Sequence, residues 1–306
     1  MPIHLPPISR RRFMAGALGV TACAMSRGVL HAAEAGRPVD PHRLALLSDT
    51  HVAADPGALA RGINMADHLR QAVGEILKLE PAPAHMLLNG DFAYSDGQSG
   101  DYTTGIELLT PLREAGMPIH IGLGNHDHRE RFLSAMPAKD RPEQTLEEKH
   151  VARVELPRAN WLILDSLNVT KETRGALGRA QLEWLAKTLD AEAGKPAVVM
   201  VHHQPEVAGE TKPAGIADTA ALLEVLSPRR QAKAIVFGHT HRWNHTRQDD
   251  GLHFVNLPAA AYVFHEAQPS GWVDARMEDA GAILKLRTLN ASHPWQGKAL
   301  TLEWRK

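Results

Sequence analysis

The 306-residue chain reads as a layered α/β domain with an antiparallel tail. Three observations point there. Short apolar runs alternate with helix-length amphipathic segments. Most of those runs end in Gly, Asp, Asn or His. Beyond Leu226 only strand-like stretches follow.

In chain order, the first run is Leu44–Leu47, a short apolar segment of the kind buried on both faces of a sheet. Ile63–Leu79 follows as a helix, with apolar residues at 63, 66, 69, 73, 76 and 77. Met86–Leu88 is the second strand, Ile106–Ala115 the second helix and Ile119–Leu123 the third strand. Trp161–Leu164 and Ala197–Val201 are strands on either side of a helix over Ala180–Leu189. Thr219–Leu226 is helical and leads into the strand Ala234–Phe237. The tail segments Phe254–Val255, Gly271–Met277, Ala282–Leu289 and Ala299–Trp304 read as antiparallel strands with no helix between them. Trp161 and Trp184 fit core or helix-packing positions. There is no internal repeat.

Composition bounds the function. Apolar residues make up 43% and charged residues 23%, which excludes disorder. Lys plus Arg (34) balances Asp plus Glu (35), against a general nucleic-acid binder. A single cysteine excludes an internal disulfide and a cysteine-rich zinc module. The 18 histidines outnumber the Phe, Trp and Tyr residues, so the placement of imidazoles carries the argument.

Residues 1–35 form an export-signal pattern: a basic start, the apolar stretch Ala15–Met25 and a small-residue exit. Ser9-Arg10-Arg11-Arg12-Phe13-Met14 resembles the twin-arginine signal, an address read by the export machinery rather than an anchor. The expected location is periplasmic or secreted. Lipoprotein anchoring at Cys23 is a less favoured alternative to a plain apolar residue there. No segment is long and apolar enough to span a bilayer, which needs roughly 20 residues. Residues 36–42 read as a polar linker and 43–306 as the globular domain, with antiparallel strands over 265–306.

Polar residues at the strand ends carry the chemistry. Leu44–Leu47 leads into Asp49-Thr50-His51, and Met86–Leu88 into Asn89-Gly90-Asp91. Ile119–Leu123 leads into Gly124-Asn125-His126-Asp127, Ala197–Val201 into His202-His203, and Ala234–Phe237 into Gly238-His239-Thr240-His241. Ligands of open α/β sheets bind at the carboxyl ends of the strands. Carboxylates and neutral imidazoles gathered there describe a site for divalent metals. Buried without compensation, such a cluster would be costly.

The ordered set Asp-x-His, Gly-Asp, Gly-Asn-His-Asp, His and Gly-His-x-His resembles the calcineurin-like metallophosphoesterases over roughly residues 43–260. Each motif alone is weak; five in order, each after an apolar run, are specific. With His202-His203 and Leu164-Asp165-Ser166, the pattern is most similar to the class III cyclic-nucleotide and glycerophosphodiester phosphodiesterases. The resemblance implies a four-layer α/β/β/α sandwich with mixed sheets. It implies two metal ions (Mn, Fe or Zn), one held by Asp49, His51, Asp91 and His241, the other by Asp91, Asn125, His202 and His239. Asp91 would bridge them, a metal-bridging hydroxide would attack phosphorus, and His126 would act on the phosphate or the leaving oxygen. In the family pattern, His-His-Pro, the first His is the ligand. Here Gln204 precedes Pro205, and a one-residue slip would favour His203 instead.

The reaction expected is hydrolysis of a small phosphate ester, a diester favoured over a monoester on the same site. A non-catalytic exported protein that binds metal or nucleotide is the alternative from another class, but its signature, a broken ligand set, is missing. Tyr94 falls where purple acid phosphatases carry an iron-binding tyrosine; His51 would fill that position, leaving Tyr94 in the pocket. Asp165 reads as a structural acceptor, and His128 and Arg129 as pocket or surface residues. His42, His85, His120, His150 and His253 read as solvated or hydrogen-bonded, with His245 and His265 similar. Asp96–Gly105 reads as a loop at the pocket rim or in solvent.

Overall fold

In the computed structural model, residues 37–137, 146, 148–206, 209 and 211–306 are described. The export signal read over 1–35, Cys23 included, lies outside them. Two six-stranded mixed sheets pack face to face, with helices on both outer faces. This is the four-layer sandwich expected.

The alternation of side chains along each strand builds the layers. In β1 (Val39–Leu47), Ala45 and Leu47 point to one face, while Leu44 and Leu46 point to the other. The first pair joins a core with α1 (Met65–Leu77), α2 (Ser99–Glu114) and α3 (Arg129–Ala135) through Leu69, Leu109 and Phe132. The second pair faces Trp161, Ile163, Val198 and Met200 of the other sheet. A third core lies beneath α4 (Arg179–Ala191) and α5 (Thr219–Leu226), where Leu185 and Leu222 meet Val199 and Ile235. Strands apolar on both faces are thus explained by burial on both faces.

The first sheet runs β14 (Ala299–Glu303), β13 (Gly281–Thr288), β12 (Gly271–Glu278), β1, β4 (Ala82–Asn89), β5 (Ile119–Gly122). Its β1, β4 and β5 are parallel; β12, β13 and β14 form the antiparallel tail. The second sheet runs β10 (Asn244–Arg247), β11 (His253–Asn256), β9 (Ala232–Phe237), β8 (Ala197–Met200), β7 (Asn160–Ile163), β6 (Ala152–Glu155). A small hairpin of β2 (Leu59–Ala60) and β3 (Ile63–Asn64) precedes α1.

Three sequence readings change. β1 begins at Val39, inside the segment read as a linker: Val39 and Asp40 pair with Ala82 and Pro83, and the register shift before Leu44 accommodates Pro41. Phe254–Val255 is not part of an antiparallel tail. Val255 pairs with Val236 in parallel, because β10 occupies the outer edge and turns the chain back beside β9. Asp96–Gly105 is largely helix, not loop. The Asp101 carboxylate accepts the backbone N–H groups of Gln98 and Ala54 and so anchors the first turn of α2. Gly105 serves packing there, since a Cβ would lie 2.4 Å from the Phe92 ring.

Asp165 is the acceptor the sequence suggests. Fully buried, it receives Arg129 Nε and Nη2 and the backbone N–H groups of His150 and Leu167. Arg129 is therefore a structural partner rather than a pocket residue. Asp165→Ala leaves these donors unpaired and is expected to lower unfolding free energy by about 3 kcal/mol. Urea unfolding checks this, and a loss below about 1 kcal/mol would contradict the role.

Candidate metal centre

β1, β4 and β5 of one sheet and β8 and β9 of the other end on the same side of the sandwich, and the five polar motifs follow those ends. Asp49, His51, Asp91, Asn125, His202 and His241 are all buried, and His239 is nearly so. Five of these seven have left-handed backbones: Asp49 (φ 52°), His51 (45°), Asp91 (47°), His239 (66°) and His241 (52°). Each costs on the order of 1–2 kcal/mol for a residue with a Cβ. Gly124 and Gly238 allow the loops to close: a Cβ at Gly124 would lie 2.2 Å from Asp91 Oδ1, and one at Gly238 2.5 Å from Asp49 Oδ2.

The donors gather in two foci. Ligand atoms of Asp49, His51 and His241 lie within 4.8 Å of one another, and so do those of His202, His203 and His239. Asp91 reaches both foci, its Oδ2 lying 3.2 Å from His202 Nε2 and 3.6 Å from His51 Nε2. His51 Nε2 is 3.2 Å from His241 Nε2, which is 3.4 Å from Asp49 Oδ1.

Backbone carbonyls orient the rings. His51 Nδ1 lies 3.1 Å from Tyr94 O, His202 Nδ1 3.0 Å from Asn89 O, His241 Nδ1 2.6 Å from Tyr262 O and His126 Nδ1 2.6 Å from Ser95 O. A carbonyl only accepts, so each Nδ1 donates and each Nε2 is left for the cluster. Asp49 accepts from Ser48 Oγ and from the His239 backbone N–H, and Asp91 Oδ1 accepts from His126 N at 2.8 Å. Asp127 knits the loops together, accepting from Gly124, Phe92 and Ala93 N–H groups and from the Tyr102 hydroxyl. Burial and the nearby Asp91 push its carboxyl up to about 6.

The electrostatics favour positive charge within the cluster. Burial opposes ionisation of Asp49 and Asp91, yet neighbouring imidazoles outweigh it. His241 holds Asp49 down at about 2, and His202 holds Asp91 well below the carboxylate range. Burial likewise opposes a charged His202, but Asp91 and Asp49 raise it to about 9. Burial pulls His51 and His239 down to about 4, leaving them neutral donors. Asn125 Oδ1 is buried without a hydrogen-bond partner. An orphaned acceptor beside ionised carboxylates is what a bound cation satisfies, so the donor set fits metal ions.

All eight residues singled out from the sequence lie at this sheet edge, and His126 joins His51 and Asp91 in one group of donors. His202 and His203 both belong to the second group of donors. Tyr94 contributes its carbonyl to His51 and leaves its ring half exposed. The remaining histidines are mostly hydrogen-bonded elsewhere: His85 to His120, His150 to Ile121 O, and His253 to His245 and Glu303 O. The sequence reading missed the rim. Tyr262 stacks on His51, Phe264 stacks on His241, and the Arg61 guanidinium lies 4.9 Å from the Phe264 ring centroid. Two aromatics within three residues, in a chain so poor in them, was the available signal.

Comparison with known proteins agrees with this geometry. A 3′,5′-cyclic adenosine monophosphate phosphodiesterase of Pseudomonas aeruginosa is 29% identical over 225 residues, covering 72% of this chain and 77% of that one. A probable cyclic nucleotide phosphodiesterase of Synechococcus is 29% identical over 248 residues, covering 78% and 89%. A probable glycerophosphodiester phosphodiesterase of Arcobacter nitrofigilis is 25% identical, covering 65% and 73%. In fold, a dimetal phosphatase from Danio rerio superposes with a TM-score of 0.68 at 16% identity, covering 87% of this chain and all of that one. The model of the calcineurin-like phosphoesterases matches residues 42–243, a span containing every strand-end motif that builds the cluster, and the chain belongs to that family.

Proposed function

We propose that this metallophosphoesterase hydrolyses phosphodiesters at a centre of two metal ions. The observation that carries the reading is the position of Asp91 between two imidazole-rich foci. Asp49, His51, Asp91 and His241 would hold one ion; Asp91, Asn125, His202 and His239 would hold the other. Ions there would supply Lewis acidity, acidifying water and drawing charge from the oxygens of phosphorus.

The chain's own residues do the rest. His126, tethered through Nδ1, offers Nε2 to the substrate side, where a proton held at that atom could pass to the departing oxygen. Tyr262, Phe264 and Arg61 border the same space. A diester carries one negative charge and a monoester up to two. Among the described residues, Arg61 is the one cation stacked on that aromatic border, which suits the smaller charge. The named activities of the relatives favour the same choice. Export by the twin-arginine route is supported by Arg10-Arg11-Arg12 and the apolar stretch after them.

Manganese-loaded protein is expected to turn over bis(p-nitrophenyl) phosphate faster than p-nitrophenyl phosphate; failure on both would overturn the reading. Asp91→Ala should abolish turnover together with metal uptake. His126→Ala should retain metal but lose about 10²–10⁴-fold in kcat.

Cation uptake must displace the proton that Asp91 and Asp49 hold on His202 at about 9. At pH 7, uptake should release at least one proton. Apparent affinity should then weaken about tenfold for each pH unit below that value, and this dependence should vanish above it. Calorimetry in buffers of different ionisation heat measures this, and uptake without proton release would refute it.

Replacing Arg10 and Arg11 with lysine should leave the chain in the cytoplasm on fractionation. Unchanged export would count against the twin-arginine route.

A further inference from the structure

Among the described residues, Tyr94 and Phe264 are the Phe, Trp or Tyr side chains that stand exposed. Both flank the focus of Asp49, His51 and His241: the Tyr94 carbonyl faces His51 Nδ1, and the Phe264 ring stacks on His241 with centroids 4.4 Å apart. Tyr262 adds a third ring, 5.9 Å from Phe264 and 5.3 Å from His51. Exposed rings gathered at one place mark a binding surface. Arg61 meets this border from another element. It and Gly62 form the two-residue turn of the β2–β3 hairpin, with φ of 51° and 79°. Asn, Asp and Gly fill such a turn with least strain, so an arginine in its first position is strained. The Arg61 guanidinium carbon lies 4.9 Å from the Phe264 ring centroid and 5.8 Å from that of Tyr262. Among the described residues, no carboxylate or carbonyl takes its N–H groups. The hairpin is anchored. Asn64 Oδ1 accepts the Asp67 N–H at the start of α1, and His68 Nδ1 on the same helix lies 2.7 Å from Ala261 O, next to Tyr262 in the chain.

Resting on the phosphodiesterase reading above, we propose that Arg61 and Phe264 form the subsite for one ester arm of the diester and select a planar aromatic arm over a saturated one. Phe264 touches a donor of the metal centre, and Arg61 touches Phe264 and Tyr262. The pair therefore stands beside the place of phosphorus, where an ester arm lies. A guanidinium is flat and weakly hydrated, and it stacks on π-faces as an ammonium does not. Braced on the two rings, it offers a planar cation to a planar arm, and its free N–H groups remain for polar atoms at the edge of that arm. A saturated arm of equal size has no π-face to offer. The strained turn and the missing counter-ion then have one cause, since both place an uncommitted guanidinium at the mouth of the site.

The test is calorimetric binding of diphenyl phosphate and dicyclohexyl phosphate to the manganese-loaded full chain. The two probes carry the same charge and rings of the same size, and differ in planarity. Wild-type protein should bind diphenyl phosphate about fivefold or more tightly than dicyclohexyl phosphate. Phe264→Leu removes the ring and keeps an apolar side chain; it should cut that preference below about twofold. Arg61→Lys keeps the charge without the plane and should lower the preference as far as Arg61→Ala does. Circular dichroism and metal content are measured on each variant; should Phe264→Leu lose an ion, the two Arg61 variants decide. Equal affinity of wild-type protein for the two probes would overturn the subsite, and so would a full preference retained in Arg61→Lys or equal weakening of both probes in the variants. With bis(p-nitrophenyl) phosphate still turned over, those results leave the phosphodiesterase reading intact. No turnover of that diester would overturn the reading and this inference with it.

Discussion

Asp49 and Asp91 are carboxylates with no exposed surface to speak of, placed against the same group of imidazoles. Such a cluster persists in a dry interior only if positive charge lies between its members. Asp91 and Asp49 favour a charged His202, which supplies some of it. Most of the architecture follows from that requirement. Donors from β1, β4 and β5 must meet donors from β8 and β9, which lie in a different sheet. Two sheets packed face to face with their central strands parallel bring those carboxyl ends to one place. Three apolar layers hold the sheets and helices in that relation.

The price of convergence is local backbone strain. Five left-handed residues at on the order of 1–2 kcal/mol each are comparable with the whole stability of an ordinary domain, about 5–15 kcal/mol. The strain persists because the loops bind one another. Asp49 N–H donates to Gly90 O, His51 N–H to Asp91 O, Gly238 N–H to His202 O and Ala261 N–H to Asp49 O. Each donor-bearing loop is thus pinned by the backbone of the next, and no single one can relax alone. The same links make the rings stiff before any cation arrives, which favours binding by lowering the ordering cost.

How much of this was legible depends on whether the signal was local. The buried parallel strands were, because runs such as Val198-Val199-Met200-Val201 have no polar face to offer. The strand-end motifs were, because Gly and a donor residue recur at each end. The first half of α2 was hidden, since Gly100 and Gly105 mimic a loop and only Ala54 and Phe92, far along the chain, explain them. The parallel placement of β11 was equally non-local: it depends on β10 taking the outer edge, which no periodicity within Phe254–Val255 encodes. Ser166 and His203 stand 37 residues apart, so their contact is visible only in the fold.

A site built to store or sense metal and a site built to cleave esters make different demands. Storage needs donors that close around the ion, and Asp49, Asp91, Asn125 and four imidazoles would suffice for two ions. It has no use for a further imidazole held at the edge of the cluster. His126 is such a group: its N–H fixes Asp91, its Nδ1 is tied to Ser95 O, and its ring meets His51 edge-on at 5.0 Å. It is more exposed than His51 and Asp91 beside it. An imidazole held in place beside a cation site costs ordering entropy that metal retention alone does not require. Proton transfer to a departing alkoxide does require it, which is why the geometry argues for turnover rather than storage.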